Sequence, residues 1–271
     1  MSNVESCIRL CIENKIYTIV MPDYEVDYIQ STIYESKRPY EYEMLQVIKK
    51  GLSDNDLFVD VGANIGNHSL YLASVAGCKV VAFEPNKRLY EPFCKSVELN
   101  SLNDRVKVFN IGLGQAVSKA KLINLDDRNL GAQSLQISET GKCDISVYPL
   151  DQISFDARIT VLKIDVEGME FEVLMGAKSK ILTDKPLLIV EAADTNAFDK
   201  IRGFVEECNY VYCHSFNGTP THFFIHQDEI KDSPWKFLFF DNAKSFYQMR
   251  HYHKKLKKAV NVLRQLKVKG W

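Results

Sequence analysis

The chain has 271 residues, 46% hydrophobic and 25% charged, and a formal net charge of −1. These values are ordinary for a soluble globular protein of one large domain with appendages or two small ones, and they exclude a global field that would draw in nucleic acid. Seven cysteines are scattered at 7, 11, 78, 94, 143, 208 and 213 with no C-x-x-C pair, so neither a zinc cage nor a disulfide framework is supported.

The opening MSNVESCIRL lacks a long apolar stretch and no run approaches transmembrane length, so a reduced, cytoplasmic setting is expected. Residues 7–21 alternate apolar and polar around Glu13-Asn14-Lys15, which predicts a β-hairpin. Over 27–50, Ile29, Ile33, Met44, Leu45 and Ile48 predict helical segments interrupted at Pro39. Residues 1–50 are too few to build a core and are expected to cap the main domain.

Residues 57–66, LFVDVGANIG, predict a buried strand running into a glycine-bounded turn and a helix over 66–76. A second strand over 79–85, a helix over 86–100 and a third strand over 105–111 complete a βαβαβ order with short connections. Residues 117–149 break that rhythm. Three short strands around the polar loop 126–133 predict an antiparallel insertion whose loop overhangs the carboxyl edge of the sheet.

Strand four is expected over 159–165, followed by a helix over 168–177, and strand five over 186–191. After a helix to Cys208, strands over 210–214 and 221–226 flank the turn Asn217-Gly218-Thr219-Pro220. That closing hairpin predicts an α/β domain over 51–226, with a seven-stranded sheet whose last strand is antiparallel. Residues 227–271 form an extension. Between Arg250 and Lys269 it holds eight Lys or Arg and no acid, with Leu256, Ala259, Val260, Leu263 and Leu266 on one helical face. Such a basic amphipathic helix is expected to dock on its own domain or a second subunit; an anionic membrane or other anionic partner is the alternative.

The 57–66 turn and the strand after it carry the chemistry. Gly62 and Gly66 permit a tight turn, and the following helix points its N-terminus at the same spot. Glu84, 24 positions after Asp60, ends the next strand, where an acid can accept both hydroxyls of a ribose. A dinucleotide fold wants G-x-G-x-x-G, but Asn64 and Asn67 occupy its second and third glycine positions, and Asn64 would obstruct a pyrophosphate. Its amide can instead bind an amino-acid carboxylate. No G-x-x-x-x-G-K-[ST] occurs. The D-x-G-x-x-x-G spacing with a following acid resembles class I S-adenosylmethionine-dependent methyltransferases, which have a Rossmann-like sheet.

A more specific resemblance follows from VDVGANIG, FEPN and LKIDVEGMEFEVL, with the pair Tyr40-Glu41 before the first helix of the domain. Over about residues 40–225 the chain is similar to the FkbM family, and KIDVEG (163–168) is more distinctive than the glycine turn. The resemblance implies an S-adenosylmethionine-dependent enzyme that methylates hydroxyl oxygens, often on sugars or polyketides. By position, Gly62, Ala63, Asn64 and Gly66 would line the methionine part of the cofactor, Glu84 would take the ribose, and Asn86 would lie near the adenosine. Asp60 and Tyr40 join this cofactor set. The family's Asp-Glu pair maps onto Asp165 and Glu167 as catalytic candidates. The chain departs from many relatives at Asn67-His68, where they carry an aromatic residue.

A sugar hydroxyl is a poor acid, so transfer needs a base. Asp165 or Glu167 can serve, the other holding a neighbouring hydroxyl, or the two can bind a hard cation; a divalent metal is left open. Competing roles are helix-start charge compensation for Glu167 and contact with the methionine ammonium for Asp165. His68 is a further base candidate, although a lone histidine is more often structural. Glu191 ends strand five as a substrate-side candidate, and Asn129, Gln133 and Ser134 can meet hydroxyls from the insertion. The leading reading is a sugar or glycan O-methyltransferase. The alternatives are a polyketide-like acceptor and a non-catalytic nucleoside-binding module. A nicotinamide oxidoreductase is disfavoured by Asn64, and a nucleic-acid substrate is weakly supported.

Overall fold

A computed structural model describes residues 6–123, 126, 128–138 and 144–238. Cys143 and the predicted basic helix over 250–269 lie outside the described residues. The chain opens with an antiparallel hairpin, β1 (Cys7–Ile12) and β2 (Lys15–Val20). Its two-residue turn holds Glu13 and Asn14 at φ 49° and 64°, the left-handed pair that matches strand twist. Ile8, Leu10 and Ile12 alternate inward, as a half-buried strand requires. Two helices follow, α1 (Tyr28–Ser36) and α2 (Tyr42–Lys49), with Pro39 in the break between them.

The main domain then runs β3 (Leu57–Val61), α3 (Asn67–Tyr71), β4 (Lys79–Phe83), α4 (Lys87–Leu99) and β5 (Val106–Phe109). Residues Leu72–Ala76 extend α3 as a wider π turn. Next come β6 (Gly112–Leu113), β7 (Ser118–Ile123), β8 (Ser134–Ile137) and β9 (Ile145–Tyr148). The fold closes with β10 (Ile159–Ile164), α5 (Glu170–Gly176), α6 (Lys178–Asp184), β11 (Leu187–Glu191), α7 (Thr195–Glu207), β12 (Tyr210–Phe216) and β13 (Thr221–His226).

A seven-stranded sheet has the order β12-β13-β11-β10-β3-β4-β5, with β13 antiparallel to both neighbours. Its central strands read as continuous apolar runs because both faces are covered. Phe58, Val80, Ala82 and Val161 join one core with the hairpin, α1 and α2. Val59, Val61, Leu162 and Ile164 join a second core with residues of α5, α6 and α7. Each buried Val, Leu, Ile or Phe among them contributes about 1.5–3 kcal/mol. β3 and β10 run parallel, but successive strands are added to opposite sides of this pair, β4 and β5 on one side and β11 on the other, which opens a crevice at their carboxyl ends.

Two features depart from the expectations. The insertion is a four-stranded sheet, β6-β9-β7-β8, in which β6 pairs parallel to β9. Gly112 leaves room for the Leu135 and Val147 side chains, which a Cβ there would approach to 2.6 and 3.2 Å. The helix expected over 168–177 starts later, at Glu170, and the chain breaks at Ala177 before α6. The break follows Gly176, whose missing side chain lets it pack on the Gly114 carbonyl. At the start of the C-terminal extension, Trp235 Nε1 donates to the carbonyls of Val47 and Ile48, docking the extension on α2.

Candidate active site

A cavity of ≈ 260 Å³ opens at the crevice, over the carboxyl ends of β3, β4, β10 and β11. The β3–α3 turn forms its floor. Gly62 and Gly66 both have positive φ, 79° and 80°. A Cβ on Gly62 would sit 1.7 Å from the Asp165 carbonyl, and one on Gly66 would strike the Phe93 ring at 2.2 Å. The glycines therefore make room for the protein's own strand and helix as well as for the turn itself. Asn64 is also left-handed, and its Oδ1 accepts from the Ile65 N–H, so its Nδ2 remains available as a donor. Ala63 lines the cavity beside it.

Glu84 ends β4 and is buried. Its two oxygens accept from the backbone N–H groups of Asn64 and Asn86, each at 2.8 Å. Each oxygen keeps a further lone pair, so the carboxylate can still accept from a diol. Burial pushes this carboxyl up to about 7, against those two hydrogen bonds. Asn86 caps α4 by accepting from the Arg88 N–H, while its Nδ2 donates to Gln133 of the insertion. Leu89, Ile111 and Leu113 supply an apolar wall at this end.

The opposite end is built from acids. Lys163 is a cross-strand neighbour of Asp60 and is fully enclosed, with Nζ 3.3 Å from Asp60 and 3.1 Å from Asp165. Burial alone would lower the Lys163 ammonium, but Asp165 and Asp60 outweigh it and hold the group above its ordinary range. Asp60 also accepts from Ser69 Oγ and lies beneath the cavity rather than among its lining residues. Asp165, Glu167 and Glu191 place one oxygen each within 4.8 Å of one another. Burial works against the Asp165 carboxylate, yet Lys163 and a hydrogen bond from Glu191 hold it low. Burial and the Asp165 charge push Glu191 up, so the proton of this pair rests on Glu191. Burial, then Asp165, pushes Glu167 up to about 7. The three oxygens can share protons, receive hydroxyl donors or ligate a hard cation.

Glu167 is left-handed at φ 54° and stands in the loop before α5. Compensation of the helix start falls instead to Glu170, which accepts from the Val166 and Gly168 N–H groups. The Glu167 carbonyl accepts from Ser134 Oγ of β8, which ties the insertion to the acidic end.

The N-terminal cap closes the cavity. Asn67 clamps the Tyr40 backbone twice at 3.0 Å, accepting from its N–H and donating to its carbonyl. This holds Glu41 at φ 57°, with Oε2 3.1 Å from His68 Nε2. Burial, then Glu41, pushes the Tyr40 phenol up to about 12, so it stays a hydroxyl donor. Asp27 is buried and caps α1 through the Gln30 N–H, while its other oxygen accepts from the Leu130 N–H. The cap and the insertion thereby meet over the cavity, where Leu130 and Gly131 line it with Tyr28 and Ile29. Sequence reasoning missed Glu41 as a partner of His68, the double pairing of Lys163 and the Asp27 latch. An Asp directly before a helical run was the readable signal for the last.

The family model described as the methyltransferase FkbM domain matches residues 60–212. The chain belongs to the FkbM methyltransferase family. That match contains the glycine turn, Glu84, Asp165, Glu167 and Glu191. Among curated relatives, the methyltransferase sdnD of Sordaria araneosa is 30% identical, over 46% of this chain and 61% of that protein. The hexuronic acid methyltransferase AglP of Haloferax volcanii is 28% identical, over 50% of this chain and 56% of its own length. The chain thus spans less than two thirds of these two relatives. A solved methyltransferase FkbM from Methylobacillus flagellatus aligns with a TM-score of 0.48 and 22% identity, over 65% of this chain and 47% of that one.

Proposed function

We propose that the chain is an S-adenosylmethionine-dependent O-methyltransferase acting on a hydroxyl of a sugar or glycan. The observation that carries this reading is one cavity joining Glu84 at the tip of β4 to Asp165 and Glu191 at the tips of β10 and β11, in a chain of a methyltransferase family. The residues fit such a cofactor. Glu84 has lone pairs free for a ribose, Asn64 has a free amide donor, Leu89 and Ile111 form an apolar wall for a base, and the acids suit a cationic end. Gly62, Ala63, Asn64, Glu84 and Asn86 are the residues proposed to hold it, with Tyr40 at the rim and Gly66 and Asp60 supporting from outside the cavity lining. When bound, S-adenosylmethionine supplies a methyl group on a sulfonium, whose C–S bonding pair returns to sulfur as the methyl leaves.

The chain's own part is to bind and orient a hydroxyl and to take its proton. Asp165 is committed to Lys163 and Glu191, which makes it an acceptor for a neighbouring hydroxyl rather than a strong base. Glu167, near neutral in its titration, can hold a second hydroxyl in either state. A polyol suits this row of oxygens, and one relative is named for methylating a hexuronic acid. The same oxygens also suit a divalent cation. Calorimetric titration with S-adenosylmethionine and S-adenosylhomocysteine, with NAD as control and Glu84→Ala as second protein, tests the cofactor. Micromolar binding of both S-adenosyl ligands, lost in the variant, is expected. Absence of binding would defeat the enzyme reading. Transfer to methyl glycosides with magnesium or with chelator then separates the cation and hydroxyl roles of the acids.

A further inference from the structure

His68 stands on the cavity wall between the cap and the acidic strand tips, and the arrangement around it is that of an oriented base. Its side chain is 9% exposed and that of Glu41 15%. Nε2 is sealed from solvent, and the Glu41 carboxylate oxygen is 3.1 Å away without an aligned hydrogen bond. Two bare lone pairs at that distance would repel, so Nε2 must carry hydrogen. Hydrogen bonds at such sites are often misaligned in the empty enzyme and tighten when substrate arrives. A neutral imidazole with hydrogen on Nε2 has its lone pair on Nδ1. Among the described residues, no hydrogen bond occupies Nδ1.

The scaffold spends several features on this geometry. Asn67, the neighbour of His68 on α3, grips the Tyr40 backbone on both sides. The grip holds Glu41 in a left-handed conformation that a glutamate does not favour on its own. The other charged or titratable groups facing this corner are Tyr40 from the cap, Lys163 and Asp165 from β10 and its tip, Glu167 from the loop before α5, and Glu191 from the tip of β11. Lys163 and Asp165 are already paired with each other, and Glu191 holds the proton it shares with Asp165. His68 is the nitrogen base left uncommitted.

We propose that His68 is the general base of this site, held in the Nε2–H tautomer by Glu41, and that it takes the acceptor hydroxyl's proton on Nδ1. The proposal rests on the methyltransferase reading and deepens it. In the step, the O–H bond breaks toward Nδ1, its electron pair stays on oxygen as the nucleophile, and His68 leaves as an imidazolium beside the Glu41 carboxylate. No other acid or oxidant is required.

The deciding experiment is long-range ¹H–¹⁵N spectroscopy of the ¹⁵N-histidine-labelled full chain, with His68→Gln to assign the resonance, run with and without S-adenosylmethionine. The expected result is a neutral Nε2–H tautomer for His68, shifted by the cofactor, and a redistributed tautomer in Glu41→Gln. An Nδ1–H tautomer in the wild-type chain would overturn the proposal. In parallel, transfer to a set of methyl glycosides should fall about 10²–10⁴-fold in His68→Ala and recover with added imidazole, while cofactor affinity stays within about threefold. Unchanged turnover would also overturn it. If calorimetry shows no cofactor binding, the methyltransferase reading itself fails. If the wild type methylates no glycoside, the sugar reading fails, and the tautomer then decides the role of His68.

Discussion

The two ends of the cavity hold their acids by different means. At the β4 end, both Glu84 oxygens are held by backbone N–H groups, and Asn86 is fixed by the helix it caps. At the β10–β11 end, carboxyls are held by side chains: Asp165 by Lys163 and Glu191, and Glu41 beside His68. Backbone donors cannot be mutated away and barely move, which suits a site for an invariant cofactor. Side-chain partners can exchange protons and respond to a substrate, which suits the reacting end. Two glutamates at the second end, Glu41 and Glu167, are also held at positive φ, a cost that the surrounding structure must offset.

The most severe way to break this contrast is Lys163→Met. It leaves Asp60 buried and without its cation, and the expected loss is about 3–5 kcal/mol of stability in urea denaturation. Substitution at the first end should spare the fold more and binding less. Glu84→Ala is expected to weaken S-adenosylhomocysteine by about 2–3 kcal/mol, roughly 30–150-fold, in calorimetry. Asn67→Ala removes both hydrogen bonds to Tyr40 and should cost about 1–3 kcal/mol in thermal or chemical unfolding. Its effect on cofactor affinity should be slight, because the β4 end does not depend on it.

The gentlest test uses pH. Glu84 and Glu167 are raised from 4.5 to about 7 on folding. Between those values the folded chain keeps protons that the unfolded chain has released. The stability linked to them is therefore complete below about 4.5 and is lost as pH rises through about 7. Denaturation of the ligand-free protein across that window should show a decline of at most a few kcal/mol, and Glu84→Gln should remove about half of it.

The parts of the fold that local chemistry decides were legible in the sequence. The hairpin turn at Glu13-Asn14 and the strands over 57–61, 79–83 and 187–191 follow from alternation or from apolar runs. The two-residue strand β6 was not legible, because its pairing with β9 lies beyond any local window. Nor was the break at Ala177, a good helix former whose position is set by Gly176 packing on Gly114. At the site, the spacing of Gly62, Asn64 and Glu84 pointed to a nucleoside, and Asp165 and Glu167 do approach each other with Glu191. The pairing of Lys163 with Asp60 depends on the β10–β3 register, and Asp27 meets Leu130 across 103 positions. His68 acquires a partner only when the cap folds over α3, and nothing in the composition around Glu41 announces its conformation.

A crystal structure of the chain with S-adenosylhomocysteine bound tests the two-ended cavity most directly. The expected result places the ribose hydroxyls on Glu84, the amino-acid part over the Gly62–Asn64 turn, and the sulfur facing the corner between His68 and Asp165. A ligand bound elsewhere, or bound with its sulfur turned away from that corner, would contradict it.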